Sequence, residues 1–117
     1  MNGKFNELNF LIERRHTQEK YFKNYKFYTW KIKKIVQRFL GEVKVFVFGS
    51  ILRKDEVPRD IDILIISPKL KTPNQKSKIR VKIFEKIGFG SPFEIHLITP
   101  EEYQSWYQNF IKEKVEI

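Results

Sequence analysis

The chain has 117 residues, no cysteine, and a formal net charge of +9 from 23 Lys and Arg against 14 Asp and Glu. This length corresponds to a single domain, and the lack of cysteine excludes disulfides, cysteine-ligated zinc and thiol catalysis. The longest apolar runs have four residues, whereas a membrane helix needs about 20, and the first residues lack the apolar segment of a secretory signal. We therefore expect a cytoplasmic protein without membrane contact.

Helices are predicted for most of the first 40 residues. Apolar residues recur at steps of three and four between Tyr21 and Leu40, which indicates one face of a helix over 18–40. Gly41 is its expected end. Residues 4–16 are also expected to be helical, either as a segment with a boundary near His16-Thr17 or continuous with the helix that follows. Their apolar positions are Phe5, Leu8, Leu11 and Ile12.

Three strands are predicted after these helices, over residues 43–48, 60–67 and 93–98. The second is almost continuously apolar, which is typical of a strand inside a sheet covered on both faces. A helix is expected from Thr72-Pro73 to Gly88, and another begins at the capping box Thr99–Glu102 and extends to about residue 113. The order predicts one α/β (α+β) domain: a helical segment over 4–40, a sheet of at least three strands over 43–98, and a C-terminal helix over 100–113.

Acidic residues at fixed positions on the predicted strands carry the candidate chemistry. Asp60 and Asp62 are two residues apart, so their side chains project from the same face of a strand. Two such carboxylates repel each other unless a cation lies between them, and Mg²⁺ prefers oxygen ligands. Glu94 follows on the next strand. Three carboxylates on adjacent strands suit a two-metal site for phosphoryl transfer.

Gly49-Ser50, directly after the first strand, is the second candidate feature. A glycine there lets the backbone approach an anion closely, and the N–H groups of a following helical turn with the Ser50 hydroxyl suit a triphosphate. Each feature alone has a plainer interpretation as a turn or a solvent-facing carboxylate, and only their combination is informative. His96 shares the parity of Glu94 but stays unassigned, because a lone strand histidine is more often a surface or packing residue.

Gly-Ser, nine residues, and then Asp-Ile-Asp resembles the signature of the nucleotidyltransferases of the DNA polymerase β superfamily. The short chain and the stretch 45–67 resemble its minimal nucleotidyltransferase (MNT) branch, and the stretches 93–96 and 99–102 resemble archaeal members. The resemblance implies a mixed sheet flanked by helices. It also implies Mg²⁺ or Mn²⁺ held by Asp60, Asp62 and Glu94, and an NTP held by Gly49, Ser50 and Arg53.

Such enzymes transfer the NMP part of an NTP, here expected to be ATP, to a hydroxyl and release pyrophosphate. Glu94 would help to deprotonate that hydroxyl. Many MNT proteins act as antitoxins of a helical HEPN-type partner, which implies such a partner or a homo-oligomer. This chain departs from the family pattern at Lys54, where many members have glycine, and at Arg59, where many have a small hydroxyl residue; its nine-residue spacing is the family's short limit.

Three functions remain open from the sequence. The first is an active nucleotidyltransferase, and the second is an antitoxin-type subunit that neutralises its partner by contact and keeps a residual nucleotide site. The third is a basic module that binds nucleic acid without chemistry, although no RRM or KH signature is present. The positive charge fits all three, and a lysine-rich codon bias is a further explanation of it. The clustered acids favour the first, because a pure binder does not need them.

Overall fold

The computed structural model describes the backbone of residues 3–117 and the side chains from residue 7 onward. Two helices, α1 (Gly3–Lys23) and α2 (Tyr25–Leu40), precede the sheet. The expected helices are present, but they meet at Asn24 and not near His16; the Asn24 side chain donates a hydrogen bond to the Lys20 carbonyl over 3.0 Å. As predicted, α2 ends at Gly41, whose φ of 68° suits glycine. The side chain of Phe5 lies outside the described residues.

The sheet has four strands: β1 (Lys44–Phe48), β2 (Ile61–Ile66), β3 (Phe93–Ile98) and β4 (Lys114–Glu116). Their order is β3-β2-β1-β4, and β2 and β3 are parallel while the other two pairs are antiparallel. Helix α3 (Pro73–Ile87) makes the crossover that parallel neighbours require. The Thr72 hydroxyl caps α3 by accepting a hydrogen bond from the Gln75 N–H. The predicted α+β class with a mixed sheet is confirmed.

The C-terminal region differs from the expected helix over 100–113. Its helical part consists of Pro100–Glu102, a π-helical turn over Tyr103–Tyr107, and Gln108–Phe110. The Gln108 N–H donates to the carbonyl of Tyr103, five residues earlier, which is the π-helical pattern. The chain then becomes extended at Ile111, whose side chain is buried, and its last residues pair with β1.

The two faces of the sheet have different coverings. Helices α2 and α3 pack on one face, where the main core lies. Aromatic and aliphatic side chains of the C-terminal segment cover part of the other face, around Leu64 and Ile98. The remainder of this second face is open, which leaves room for polar side chains on the strands. None of the helices in the described part of the chain combines the length and apolar character needed to cross a bilayer.

Candidate active site

An acidic cluster lies on the second face of the sheet, where β1, β2 and β3 run side by side. Asp62 of β2 is in register with Phe48 of β1 and with Glu94 of β3. Because alternate strand residues share a face, His96 projects to the same side as Glu94. The carboxylates of Asp62 and Glu94 and the His96 imidazole each offer a ligand atom, and these atoms all lie within 4.8 Å of one another. Three polar groups therefore converge on one point of the sheet.

His96 was left unassigned from the sequence, and the structure places it in the cluster. Its Nε2 lies 3.5 Å from Asp62 Oδ1 and 3.7 Å from Glu94 Oε1. The imidazole packs between the rings of Phe48 and Tyr107, with centroids 5.4 and 5.9 Å away. The signal for this residue was its parity with Glu94, but parity alone cannot show which side chains pack around a histidine.

Asp60 lies just before β2 and outside the group of three ligand atoms. It is half-buried, and burial raises the pKa of Asp60, with a further increase from the nearby negative charge of Asp62. The pKa of Glu94 is also raised: desolvation is the largest cause, followed by a hydrogen bond with Asp62 and its charge. The side chain of Glu94 is 57% exposed, so only the part facing the sheet is desolvated. The carboxylates thus repel one another across the strands.

Gly49 ends β1 next to this cluster. The φ angle of Gly49 is 86°, a conformation that residues with a side chain rarely adopt. A Cβ atom at this position would collide with the Asp62 carboxylate, because it would lie 3.2 Å from Asp62 Cγ. The chain continues from Gly49 into one 3₁₀ turn over Ser50–Leu52. Ser50 is therefore the first residue of a turn that follows a glycine whose backbone conformation disfavours other residues.

The structure pairs Arg53 with Glu56, with its Nη1 3.1 Å from Glu56 Oε1. Arg53 also borders a cleft of about 520 Å³ beside Gly49. The other residues lining that cleft are Phe48, Phe110, Ile111, Lys112 and Glu113. A larger cavity, of about 840 Å³, lies at the far end of the same face, around Phe46, Ile66 and Tyr103. It contains none of the cluster residues.

The donor set of the cluster fits a divalent cation. Adjacent carboxylates are stabilised either by a proton or by a cation between them. Carboxylate oxygens suit Mg²⁺ or Mn²⁺, and an imidazole is also a metal ligand. Gly49 leaves one side of the Asp62 carboxylate free of side-chain atoms. The cluster can therefore accept both a metal ion and an anionic ligand of that ion.

Replacing Gly49 with alanine should destabilise the fold, because the new Cβ meets Asp62 in a strained backbone conformation. We expect a loss of about 1–3 kcal/mol in the free energy of unfolding, measured by urea denaturation. Gly90→Ala is the matched control, since a Cβ at Gly90 meets nothing within 4 Å. Equal stability of the two variants would contradict the role given to Gly49.

The raised pKa of Glu94 predicts a pH-dependent stability difference in protein treated with EDTA. A carboxyl whose pKa is raised on folding favours the native state at low pH, and this contribution is lost as pH rises through the folded pKa. Glu94→Gln should therefore melt at a higher temperature than wild type near pH 7. The difference in melting temperature should vanish once the pH falls below the ordinary pKa of a glutamate side chain, about 4.3.

Thermal unfolding followed by circular dichroism measures this difference. Glu13→Gln, on the exposed surface of α1, is the control for removing one negative charge. A Glu94→Gln variant that melts below wild type at neutral pH would show that the ionised carboxylate stabilises the metal-free fold, contrary to the account above.

The chain is similar in sequence and in fold to known proteins. A family model described as a nucleotidyltransferase domain matches residues 30–116. A crystal structure of a protein assigned as a nucleotidyltransferase is 29% identical, covers 74% of this chain and 94% of its own, and has a TM-score of 0.63. A second crystal structure, of a protein from Sulfolobus solfataricus at 1.40 Å resolution, is 21% identical and has a TM-score of 0.51. The match covers 88% of this chain and 84% of that one, and it supports the fold alone.

The search of curated proteins gave no match. The region matched by the family model includes all four strands, the Gly49 turn and the acidic cluster. The chain belongs to the nucleotidyltransferase domain family, whose activity is the transfer of a nucleoside monophosphate group.

Proposed function

We propose that this protein transfers the NMP group of an NTP, with ATP as the expected donor, to a hydroxyl acceptor in a reaction that depends on Mg²⁺ or Mn²⁺. The observation that carries the proposal is the placement of Asp62 and Glu94 in register on parallel strands, directly beside the Gly49 turn. The MNT branch of the superfamily is the proposed position of this chain, on the strength of the short chain and the stretch 45–67.

Asp60, Asp62 and Glu94 are the proposed ligands of the cation. When bound there, a divalent cation would neutralise phosphate charge and polarise the α-phosphate. The distances from His96 Nε2 to the two carboxylates, 3.5 and 3.7 Å, support a positioning role for His96. Its ring is packed by two aromatic neighbours, so it can fix the orientation of the Asp62 carboxylate.

The triphosphate is proposed to lie at Gly49 and Ser50, with its negatively charged oxygens facing the cleft beside Gly49. Arg53 and Lys112 both line that cleft, and Arg53 would exchange its exposed ion pair with Glu56 for a phosphate. Such exposed pairs contribute little to stability, so the exchange costs little. Lys54 and Arg59, the two departures from the family pattern, add positive charge to the same connection.

Glu94 is proposed to accept the proton of the attacking hydroxyl. The hydroxyl oxygen forms a bond to the α-phosphorus, the bond from that phosphorus to the β-phosphate oxygen breaks, pyrophosphate leaves, and the proton passes to a carboxylate oxygen of Glu94. Desolvation and the charge of Asp62 raise the pKa of Glu94. A raised pKa brings a carboxylate closer to the range where general-base catalysis is efficient.

Substitution of Glu94 by Gln tests this function. We expect transfer of label from ATP labelled at the α-phosphate to fall by at least about 10²-fold, the scale of losing a general base. Binding of ATP should change little, since Asp60 and Asp62 remain. The assay uses Mg²⁺ and extract of the source cells as acceptor, and Glu13→Gln is the matched control.

Two results would contradict the proposal. One is a Glu94→Gln variant that transfers the α-label as fast as wild type. The other is transfer of label from ATP labelled at the γ-phosphate, because that would be phosphoryl transfer and not nucleotidyl transfer.

Exposed apolar side chains favour a protein partner as the source of the acceptor. The aromatic side chains of the helical regions divide into two groups, of which the first, Tyr21, Tyr25 and Tyr28, packs against the core. Trp106 and Phe110 are exposed. On α1, four large apolar side chains are also 56–62% exposed: Leu8, Phe10, Leu11 and Ile12.

A HEPN-type helical protein is the partner that the resemblance implies, and the α1 surface supports an antitoxin-type subunit as the second candidate function. Light scattering of the chain with such a protein from the same genome should show a complex, and Leu11→Glu should weaken it. Val57→Glu is the control, because it also replaces an exposed apolar side chain, and it should leave the complex unchanged. A complex that survives Leu11→Glu unchanged would contradict docking on α1. If an Asp62→Asn variant still neutralises the HEPN-type partner, the antitoxin function is favoured over the enzymatic one.

A further inference from the structure

The outer side of α2 carries positive charge without any acidic residue nearby in sequence. Between Glu19 and Glu42 the chain has no Asp or Glu. The same stretch contains seven basic residues: Lys20, Lys23, Lys26, Lys31, Lys33, Lys34 and Arg38. A run of this kind gives one surface of the domain a local positive potential well above the average of the chain.

Helical spacing divides α2 into two faces. Thr29, Ile32, Val36 and Leu40 are buried toward the sheet. The positions on the opposite side follow the steps three and four that define one helix face, and they form what we call the α2 outer stripe: Phe27, Trp30, Lys31, Lys34 and Arg38. This stripe points away from the sheet and therefore away from the acidic cluster, which lies on the sheet's other face.

Two aromatic rings lie exposed in the middle of the α2 outer stripe. Phe27 is 54% and Trp30 49% exposed, and their rings stack at a centroid distance of 6.3 Å and an interplanar angle of 24°. Lys31 Nζ lies 5.5 Å from the Phe27 centroid, and Lys34 Nζ lies 5.6 Å from the Trp30 centroid. Ammonium groups over exposed rings are held weakly, so they can turn toward an external anion and leave the rings free.

We propose that the α2 outer stripe binds single-stranded nucleic acid, with bases stacked on Trp30 and Phe27 and phosphates on Lys31, Lys34 and Arg38. Aromatic side chains beside a positively charged track are the elements that single-strand binding proteins combine. An acidic protein would use the charges without needing two parallel rings, and a duplex offers phosphates but keeps its base faces stacked. The rings therefore select the single strand among polyanions.

This site is independent of the proposed nucleotidyl transfer, because none of its residues belongs to the acidic cluster or its cleft. Binding is therefore measured in EDTA and without NTP, when the carboxylates of the cluster repel phosphates. The probe is a fluorescein-labelled oligothymidylate of about 12 nucleotides, within the usual site size of single-strand binders. Fluorescence anisotropy gives the affinity at several salt concentrations.

The two tryptophans of the chain give a direct report of where the strand lies. With excitation selective for tryptophan, only Trp30 emits in the Trp106→Phe variant, and we expect its emission to be quenched as unlabelled oligothymidylate binds. In the Trp30→Phe variant only Trp106 fluoresces, and its emission should not change. Quenching of Trp106 but not of Trp30 would overturn the proposal, since it would place the strand on the catalytic side of the sheet.

Affinity measurements separate stacking from general electrostatic attraction. Trp30→Ala should weaken binding by at least about fivefold, the lower range for loss of one stacked base, whereas Trp106→Ala should not. Lys31→Gln/Lys34→Gln should lower the slope of log affinity against log salt by about 1.4, or about 0.7 for each lost phosphate contact.

Lys82→Gln/Lys86→Gln removes the same charge from exposed positions of α3 and should leave the slope almost unchanged. Equal losses in the two lysine pairs, or a duplex of the same length bound as tightly as the single strand, would overturn the proposal. All substituted side chains of the stripe lie outside the core, and circular dichroism confirms that each variant is folded before its binding is measured.

Discussion

The fixed proximity of the Asp62 and Glu94 carboxylates on neighbouring strands is the constraint on which the candidate site depends. Parallel pairing of β2 and β3 sets the two residues in the same register, and the strands cannot separate them without breaking the sheet. Burial raises the pKa of both Glu94 and Asp60, and the negative charge of Asp62 raises the two pKa values further. Functional sites commonly retain such unfavourable contacts at the expense of stability, and a divalent cation bound between the carboxylates would relieve them.

The sheet separates the stabilising and functional parts of the molecule. Its first face forms a core with α2 and α3, in which Val45, Ile63 and Ile83 are fully buried, and this core holds the strands in register. Its second face is only partly covered, by the π-helical turn and the residues around Ile111, so the cluster stays accessible to ligands. Gly49 belongs to both parts, because it ends a buried strand and leaves space beside Asp62.

Patterns within a single element were enough to predict much of this structure. The almost continuous apolar run of β2 predicted a strand inside the sheet, and the Gly41 and Thr99 signals predicted helix ends correctly. Features that depend on contacts between distant segments were missed. His96 joins the site through packing with Phe48 and Tyr107. Strand β4 has only three residues, too few to show alternation, and it forms by pairing with β1. The boundary between α1 and α2 at Asn24 was also missed, because the helical spacing of apolar residues continues across it without interruption.

The most direct measurement of the central claim is calorimetry of Mn²⁺ binding in the presence of a non-hydrolysable ATP analogue. The account predicts saturable binding to wild type and to the control Asp55→Asn, which removes an exposed aspartate of the same connection, and no measurable binding to Asp60→Asn/Asp62→Asn. Binding of Mn²⁺ and nucleotide to the double variant with the affinity of wild type would contradict it. The carboxylates would then be a surface feature of the sheet and not the metal site of the enzyme.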